Sequence, residues 1–324
     1  MTRVSYHDTV NVLQAMNFAG EGPFARPEWF ALLAERKEDV LLAVAEDGDK
    51  RVALPLMRKG RMFEPLRNWY SFSWRPLGQD AAVLETLARD LKSQASHIVL
   101  SPLPDEDRSA CDLQCAFNGA GWFTVLERCD TNHVLRVAGR SFAEYWAGRP
   151  GKMRTTLKRK ARKVDVRILE CFDEQAWADY QAIYADSWKP TEGDPDLLEA
   201  FARQEGAAGR IRLGIAVADG QPVAAQFWTV EDGTAYIHKL AHIEAAKPLS
   251  AGTTLSAALF EHVIDRDHVE LVDFGTGDDP YKRDWMDGER PRYRLECLDP
   301  SNPRLWPRIL RLALRKLAKR TGRS

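Results

Sequence analysis

"LVDFGTGDDPYKRDW" occupies residues 271–285. An apolar, strand-like run ends at Asp273 and Phe274. Two glycines then alternate with polar residues, and Asp278-Asp279-Pro280 leads into Tyr281, Lys282 and Trp285. Four readings compete: a nucleotide loop, a kinase metal-binding Asp-Phe-Gly, a catalytic turn at a strand end, or a plain strand terminus. Two are excluded by missing partners. No G-x-x-x-x-G-K-[ST] occurs anywhere, so no P-loop is present, and no G-x-G-x-x-G follows a strand. Asp273-Phe274-Gly275 lacks the Gly-rich loop, strand-borne lysine and His-Arg-Asp loop that a kinase needs.

The segments before this stretch follow a readable order. Residues 164–170 alternate as a strand, and 173–188 form an amphipathic helix with acidic residues in its first turn. "DPDLLEAFARQEG" is a second helix. "RIRLGIAVA", "PVAAQFWTV" and "TAYIHKLAH" then read as three strands joined at Asp219-Gly220 and Asp232-Gly233, both hairpin signals. A helix over 253–265 leads into the opening stretch, and "RYRLECL" is expected to close the set. The first half is a looser version: a helix at 26–35, a hairpin around Asp47-Gly48, a helix over 81–93, a strand at 97–103, another helix, and two closing strands, "WFTVLERC" and "NHVLRV". Glycines and a proline cluster at 138–150, which places the boundary there.

Composition narrows the class but not the function. The chain has 324 residues, 46 Lys+Arg against 47 Asp+Glu, and a formal net charge of −1. Only local charge is therefore informative. The cysteines at 111, 115, 129, 171 and 297 are scattered, without the spacing of a zinc or redox site, and read as reduced thiols. No metal is called for. The first residues lack the apolar core of a signal peptide, and no apolar run approaches membrane-spanning length. A cytoplasmic protein is expected.

At "SAGTT", residues 250–254, a polar loop opens a helix after a strand. The first N–H groups of a helix are unpaired and its dipole is positive there, while glycine lets backbone approach an anion. Ser and Thr also cap helices routinely, so the motif alone leaves both readings open.

Taken together, the hairpins, the strand–loop–helix at 250–254, the basic run before the first strand and "DFGTGDDPYKRDW" resemble the C-terminal half of CelD/BcsL-type proteins. These are acyltransferases of the GNAT superfamily related to the Fem proteins. The resemblance spans most of residues 142–285 and departs at one point: Ala251-Gly252 stands where the family usually has Pro-Gly. It implies an α/β chain with a mixed sheet and two tandem GNAT-like domains. The expected divisions are 1–138, a degenerate first copy lacking a "DFGTGDDPYK" counterpart, 139–300, the acyltransferase domain, and 301–324, a basic amphipathic helix. It further implies an acyl-CoA co-substrate whose pyrophosphate meets Ser250, Ala251, Gly252, Thr253 and Thr254. The thioester would lie between splayed fourth and fifth strands.

On that reading the amine acceptor must lose a proton and the thiolate must gain one. His238 is the first candidate base and His242 the second. Tyr281 and Lys282 are candidates for the leaving group, Asp273 and Asp278 for orienting the amine, with Lys239 and Trp285 beside the substrate. The basic residues of 149–167 suit CoA phosphates, an anionic membrane or tRNA, although poor aromatic interleaving disfavours nucleic acid. In "RLWPRILRLALRKLAKRTGRS", helical spacing puts Trp306, Ile309, Leu310, Ala313, Leu314 and Leu317 on one face and Arg308, Arg311, Arg315 and Lys319 opposite. Such a helix suits peripheral contact with an anionic membrane. The expected acceptor is a cell-envelope amine, either a lipid amine such as a sphingoid base or an amino sugar. A Fem-like aminoacyl-tRNA-dependent ligase and a non-catalytic binding module are the alternatives.

Overall fold

The computed structural model describes residues 2–16, 18 and 22–321, with side chains through 318. The chain forms two compact units, Met1–Thr131 with Arg290–Ser324, and Asn132–Glu289. The boundary read from the glycine cluster at 138–150 thus falls inside the second unit.

The first unit opens with β1 (Arg3–His7), α1 (Val12–Met16) and α2 (Pro27–Ala34). β2 (Val40–Asp47), β3 (Lys50–Lys59) and β4 (Met62–Pro65) follow, then α3 (Ala81–Asp90), β5 (His97–Leu103) and α4 (Ser109–Gly119). β6 (Phe123–Arg136) is a single long strand where two were expected, because "ERCDTN" stays extended through its polar centre. The second unit adds α5 (Phe142–Ala147), α6 (Gly151–Lys160), β7 (Asp165–Leu169), α7 (Glu174–Ala185) and α8 (Pro195–Ala207). It continues with β8 (Ile211–Ala218), β9 (Gln221–Glu231), β10 (Thr234–His242), α9 (Ala251–Asp265), β11 (Leu271–Thr276) and α10 (Lys282–Trp285). β12 (Gly288–Leu298) and α11 (Trp306–Thr321) end the described chain.

The two units repeat one strand plan. β1, β2, β3 and β4 are antiparallel neighbours, β4 pairs parallel with β5, and β5 pairs antiparallel with β12. In the second unit β7, β8, β9 and β10 are antiparallel, β10 pairs parallel with β11, and β11 pairs antiparallel with β6. The closing strands are therefore exchanged. "RYRLECL", expected to close the second half, pairs with β5 of the first, and "NHVLR" pairs with β11 of the second. Strand periodicity reveals a strand but not its partner, which is why the sequence assigned each to its neighbour in the chain.

Side-chain alternation builds the second unit's core. Trp228 on β9 meets Phe260 of α9 edge-on at 5.1 Å, while Phe227 meets Trp177 of α7 and Phe201 of α8 on the other face. Gly214 lets α9 pack closely, since a Cβ there would come within 2.9 Å of Leu255 Cδ1 and Leu259 Cδ1 and displace those side-chain ends. Both turns of the β8–β9–β10 meander have positive φ at their central pairs, Asp219-Gly220 and Asp232-Gly233, as the right-handed strand twist requires.

Trp285, proposed from sequence to lie beside substrate, is a packing residue. Its ring stacks on Phe260 at 5.0 Å, Phe260 stacks on Tyr145 at 5.3 Å, and the Tyr145 hydroxyl donates to the Trp285 carbonyl at 2.9 Å. Trp285→Ala should lower unfolding free energy by about 3–5 kcal/mol, as for other buried large aromatics. Urea denaturation checks this, and a loss below about 1 kcal/mol would contradict the packing role.

Candidate active site

β10 and β11 pair in parallel over only three rungs, Thr234 with Leu271, Ala235 with Val272 and Tyr236 with Asp273. Both strands are disturbed where they part. β10 bulges against β9 between Ile237 and Lys239, and β11 shifts register against β6 between Asp273 and Thr276. A bulge redirects side chains and increases twist. Here it puts His238 and Lys239 on the same face, the one covered by α7 and α8. His238 Nε2 shares a hydrogen bond with Thr229 Oγ1 at 2.7 Å, and its ring stacks on Phe227 and meets Phe201 edge-on. A hydroxyl partner and aromatic walls fix the ring.

Lys239 is buried, donates to Glu192 Oε1 at 2.9 Å and lies over the Tyr184 ring. Burial pushes its pKa down to about 8, with Glu192 pulling the other way. His242, at the end of β10, stacks against Trp188 with ring centres 4.3 Å apart. Burial holds it below the usual imidazole range, so the ring is neutral at physiological pH.

The turn leaving β11 is held from within. Asp273 is buried; its Oδ1 accepts from the Gly275 amide at 2.7 Å and its Oδ2 from Asn132 Nδ2 at 3.0 Å. Lys282, also buried, donates to the Thr276 carbonyl at 2.6 Å and lies over the Phe274 ring. These contacts shape the turn, and neither side chain points to a free proton-transfer role. Tyr281 meets Phe274 edge-on, and desolvation together with Asp279 raises its phenol to about 12, so it carries its proton at neutral pH. Asp278 bonds His133 Nε2 at 3.1 Å and Arg283 at 2.7 Å, which hold its carboxyl below the usual range. Among the described residues His133, Asp278 and Glu289 bring ligand-type atoms within 4.8 Å of one another, but Arg283 already spans both carboxylates.

At the start of α9, Ser250 adopts a left-handed backbone conformation and makes no side-chain cap. Its Oγ instead accepts from Lys160 Nζ of α6 at 3.1 Å. Ala251 and Thr254 are buried, while Gly252 and Thr253 keep partial access. A Cβ on Gly252 would approach His242 Nδ1 to 3.4 Å, so glycine lets the helix start lie against that ring. The equivalent position of the first unit differs. There Asp80 caps α3 by accepting from the Val83 amide at 2.9 Å, and Lys50 neutralises the carboxylate at 2.8 Å. An anion would find the α3 terminus already filled by a carboxylate. The α9 terminus offers uncapped N–H groups, a positive dipole end and a lysine. Lys160 entered from sequence only as one of the basic residues of 149–167, and Glu192 and Asn132 were not singled out, because their partners lie 90, 47 and 141 residues away.

Residues 151–283 match the model of an acetyltransferase (GNAT) domain. Three solved structures share the fold over nearly the whole chain. The C-terminal domain of a putative lysylphosphatidylglycerol synthetase from Agrobacterium fabrum matches with a TM-score of 0.59 at 13% identity, covering 94% of each chain. FemX matches at 0.63 and 9% identity, covering 92% of this chain and 98% of its own. A tandem GNAT protein from the clavulanic acid biosynthesis pathway matches at 0.52 and 13%, covering 93% and 100%. The chain is thus an α/β protein with the fold of tandem GNAT proteins, and the matched segment lies in its second unit. No curated protein sequence matches it significantly.

The Lys239 ammonium gives the site a pH signature. Its folded pKa, about 8, lies below the ordinary 10.5, so between these values the unfolded chain keeps a proton that the folded one has released. Stability contributed by this group therefore rises with pH across that window. Unfolding free energies of wild type and Lys239→Met should diverge between pH 8 and pH 10, the wild type gaining. Parallel profiles would show that Lys239 is not desolvated.

Proposed function

We propose that the second unit transfers an acyl group from a CoA thioester to an amine. The open N-terminus of α9 carries this reading: amides without a side-chain cap meet Lys160 there, and the helix start lies against His242 at the end of β10, the strand that parts from β11. The residues fit a pyrophosphate. Ala251, Gly252 and Thr253 would supply backbone donors, since the Ser250 and Thr254 amides already bond the Lys247 and Ser250 carbonyls, and the exposed Lys152, Arg154, Lys158, Arg159, Arg162 and Lys163 of the preceding basic segment would attract further phosphate charge. His238, oriented by Thr229, takes the proton from the attacking amine, and the neutral His242 lies by the cradle as the second acceptor. Tyr281 returns a proton to the departing sulfur. Asp278, Lys239 and the α7–α8 segment face the incoming amine. The acceptor is a cell-envelope amine, either a lipid amine such as a sphingoid base or an amino sugar.

The terminal helix supports action at a membrane face. Trp306, Leu310, Leu314 and Leu317 form an exposed stripe, each 57–63% accessible. Ile309 and Leu312 turn inward instead, so the single apolar face read from sequence is divided in two. Arg308 is tied to Glu296, and Arg311 and Arg315 flank the stripe. Among the described residues no helix is long and apolar enough to cross a membrane. Peripheral contact with an anionic surface fits this combination.

A second reading has its own support. The unbroken row of exposed cations on and after α6 also suits the backbone of an aminoacyl-tRNA donor, as in a Fem-like ligase.

Two experiments decide among these. Thermal-shift titrations with acetyl-CoA, long-chain acyl-CoAs, free CoA and tRNA should show stabilisation by CoA species and none by tRNA; the reverse result would favour the ligase. His238→Gln should then lower kcat about 10²–10⁴-fold while CoA binding is kept. Full turnover in that variant would remove the base assignment. Separately, Leu310→Ser with Leu314→Ser should weaken sedimentation with anionic liposomes, whereas unchanged sedimentation would leave the stripe without a membrane role.

A further inference from the structure

Residues 185–194, between α7 and α8, bound a cavity of about 320 Å³ together with the inner faces of both helices. Trp177, Tyr180, Tyr184, Lys189, Glu192 and Leu198 line it. Its polar groups are unevenly satisfied. The acceptor side is taken: Glu192 receives Lys239 Nζ at 2.9 Å and the Tyr180 hydroxyl at 3.4 Å. The donor side is not. Trp177 is buried, and its indole N–H has no hydrogen-bond partner among the described residues. Lys189 makes no ion pair among the described residues; its Nζ lies 5.6 Å from the Trp188 ring centre, and partial burial lowers its pKa although Asp279 and Glu192 attract it from beyond contact.

A buried N–H without an acceptor costs roughly 1–3 kcal/mol and calls for an explanation. A lysine ammonium in the wall of the same cavity, stripped of part of its water, makes the same demand. Both are met by one occupant rich in acceptor oxygens. Cavity size limits the occupant further. About 320 Å³ lies at the small end of ligand sites. It suits one sugar ring or one headgroup, and it is too small for a long acyl chain. The cavity also adjoins the reaction centre, since Lys239 joins its wall to the bulge that carries His238.

We propose that this cavity is the acceptor subsite and takes an amine bearing an anionic oxygen group, which Lys189 and the Trp177 indole N–H hold. The proposal rests on reading the β10–β11 parting as a transfer site. Its chemistry is shared by a phosphorylated amino sugar and a phospholipid-type headgroup, so two matched pairs of probes separate them: glucosamine 6-phosphate against glucosamine, and phosphoethanolamine against ethanolamine. Calorimetry measures binding of each without CoA, and thiol release from acetyl-CoA measures turnover. The phosphorylated member of one pair should be preferred about tenfold or more, the size expected for a charged hydrogen bond. Lys189→Met and Trp177→Phe should each shrink that ratio, and Lys189→Arg should retain it. Equal affinity within both pairs, no binding of either phosphorylated probe, or an undiminished ratio in Lys189→Met would overturn the subsite. Absence of any CoA binding would instead overturn the transferase reading, and the calorimetric ratios would still judge the cavity.

Discussion

The second unit is organised by a parallel strand pair that cannot continue. β10 and β11 share three rungs and then diverge, leaving backbone N–H and C=O groups on both facing edges without a ladder. Such groups normally demand partners, and a folded chain does not strand them at its centre without reason. Each strand adjusts at the point of separation. β10 gains a residue at His238 against β9, and β11 breaks register at Asp273 against β6. The Asp273 carboxylate then caps its own turn through Gly275 and ties it to Asn132, while Lys282 clamps the carbonyl side of the same turn. The gap is therefore a held feature rather than a frayed edge. Its mouth faces the start of α9, because a helix following β10 must begin at that end of the strand.

The duplication of the fold sharpens this point. Both units have a strand, two helices, three antiparallel strands, a helix and a parallel fifth strand, so topology alone would give each a site. What separates them is the chemistry at one helix start. Asp80 fills the α3 terminus with its own carboxylate, which is the ordinary way to satisfy a helix dipole and its free amides. Ser250 declines that role; its left-handed backbone turns Oγ to Lys160 and leaves the α9 amides uncapped. Forgoing a cap costs a helix about 1 kcal/mol, and a positive-φ serine adds to it. Strain of this kind, at one copy of a repeated position, is the reason the proposed donor site is assigned to the second unit.

Much of the architecture was legible because its signals are local. The Asp-Gly turns, the amphipathic helices and the apolar strands each lie within one window of sequence. Fold class followed from their order, and residues 250–254 were recognisable from glycine and small polar residues at a helix start. What escaped were the relations between distant segments. The exchange of β6 and β12 cannot be read from periodicity, since each strand has the same pattern whichever sheet it joins. Trp285 resembled a substrate residue by its place after Tyr281 and Lys282, yet the Phe260 and Tyr145 rings claim it for the core. Lys282 was marked from sequence as a group for the leaving thiolate; two carbonyls and a phenyl ring engage it instead and make its burial tolerable.

Charge follows the same logic of position over total. The chain is nearly neutral, with a formal net charge of −1, but its charges are not mixed evenly. Cations gather on and after α6, and one of them reaches the α9 terminus. In the α7–α8 cavity the balance is finer: one carboxylate is consumed by Lys239, while a second ammonium and an indole N–H remain unmet. Both places thus hold donors that no side chain of the described residues accepts from, one at the helix start and one in the wall of the α7–α8 cavity. A site with two separate demands for anionic oxygen and a histidine between hydroxyl and aromatic walls suits two substrates meeting at the strand gap. A single ligand at one end would leave the other set of donors unsatisfied.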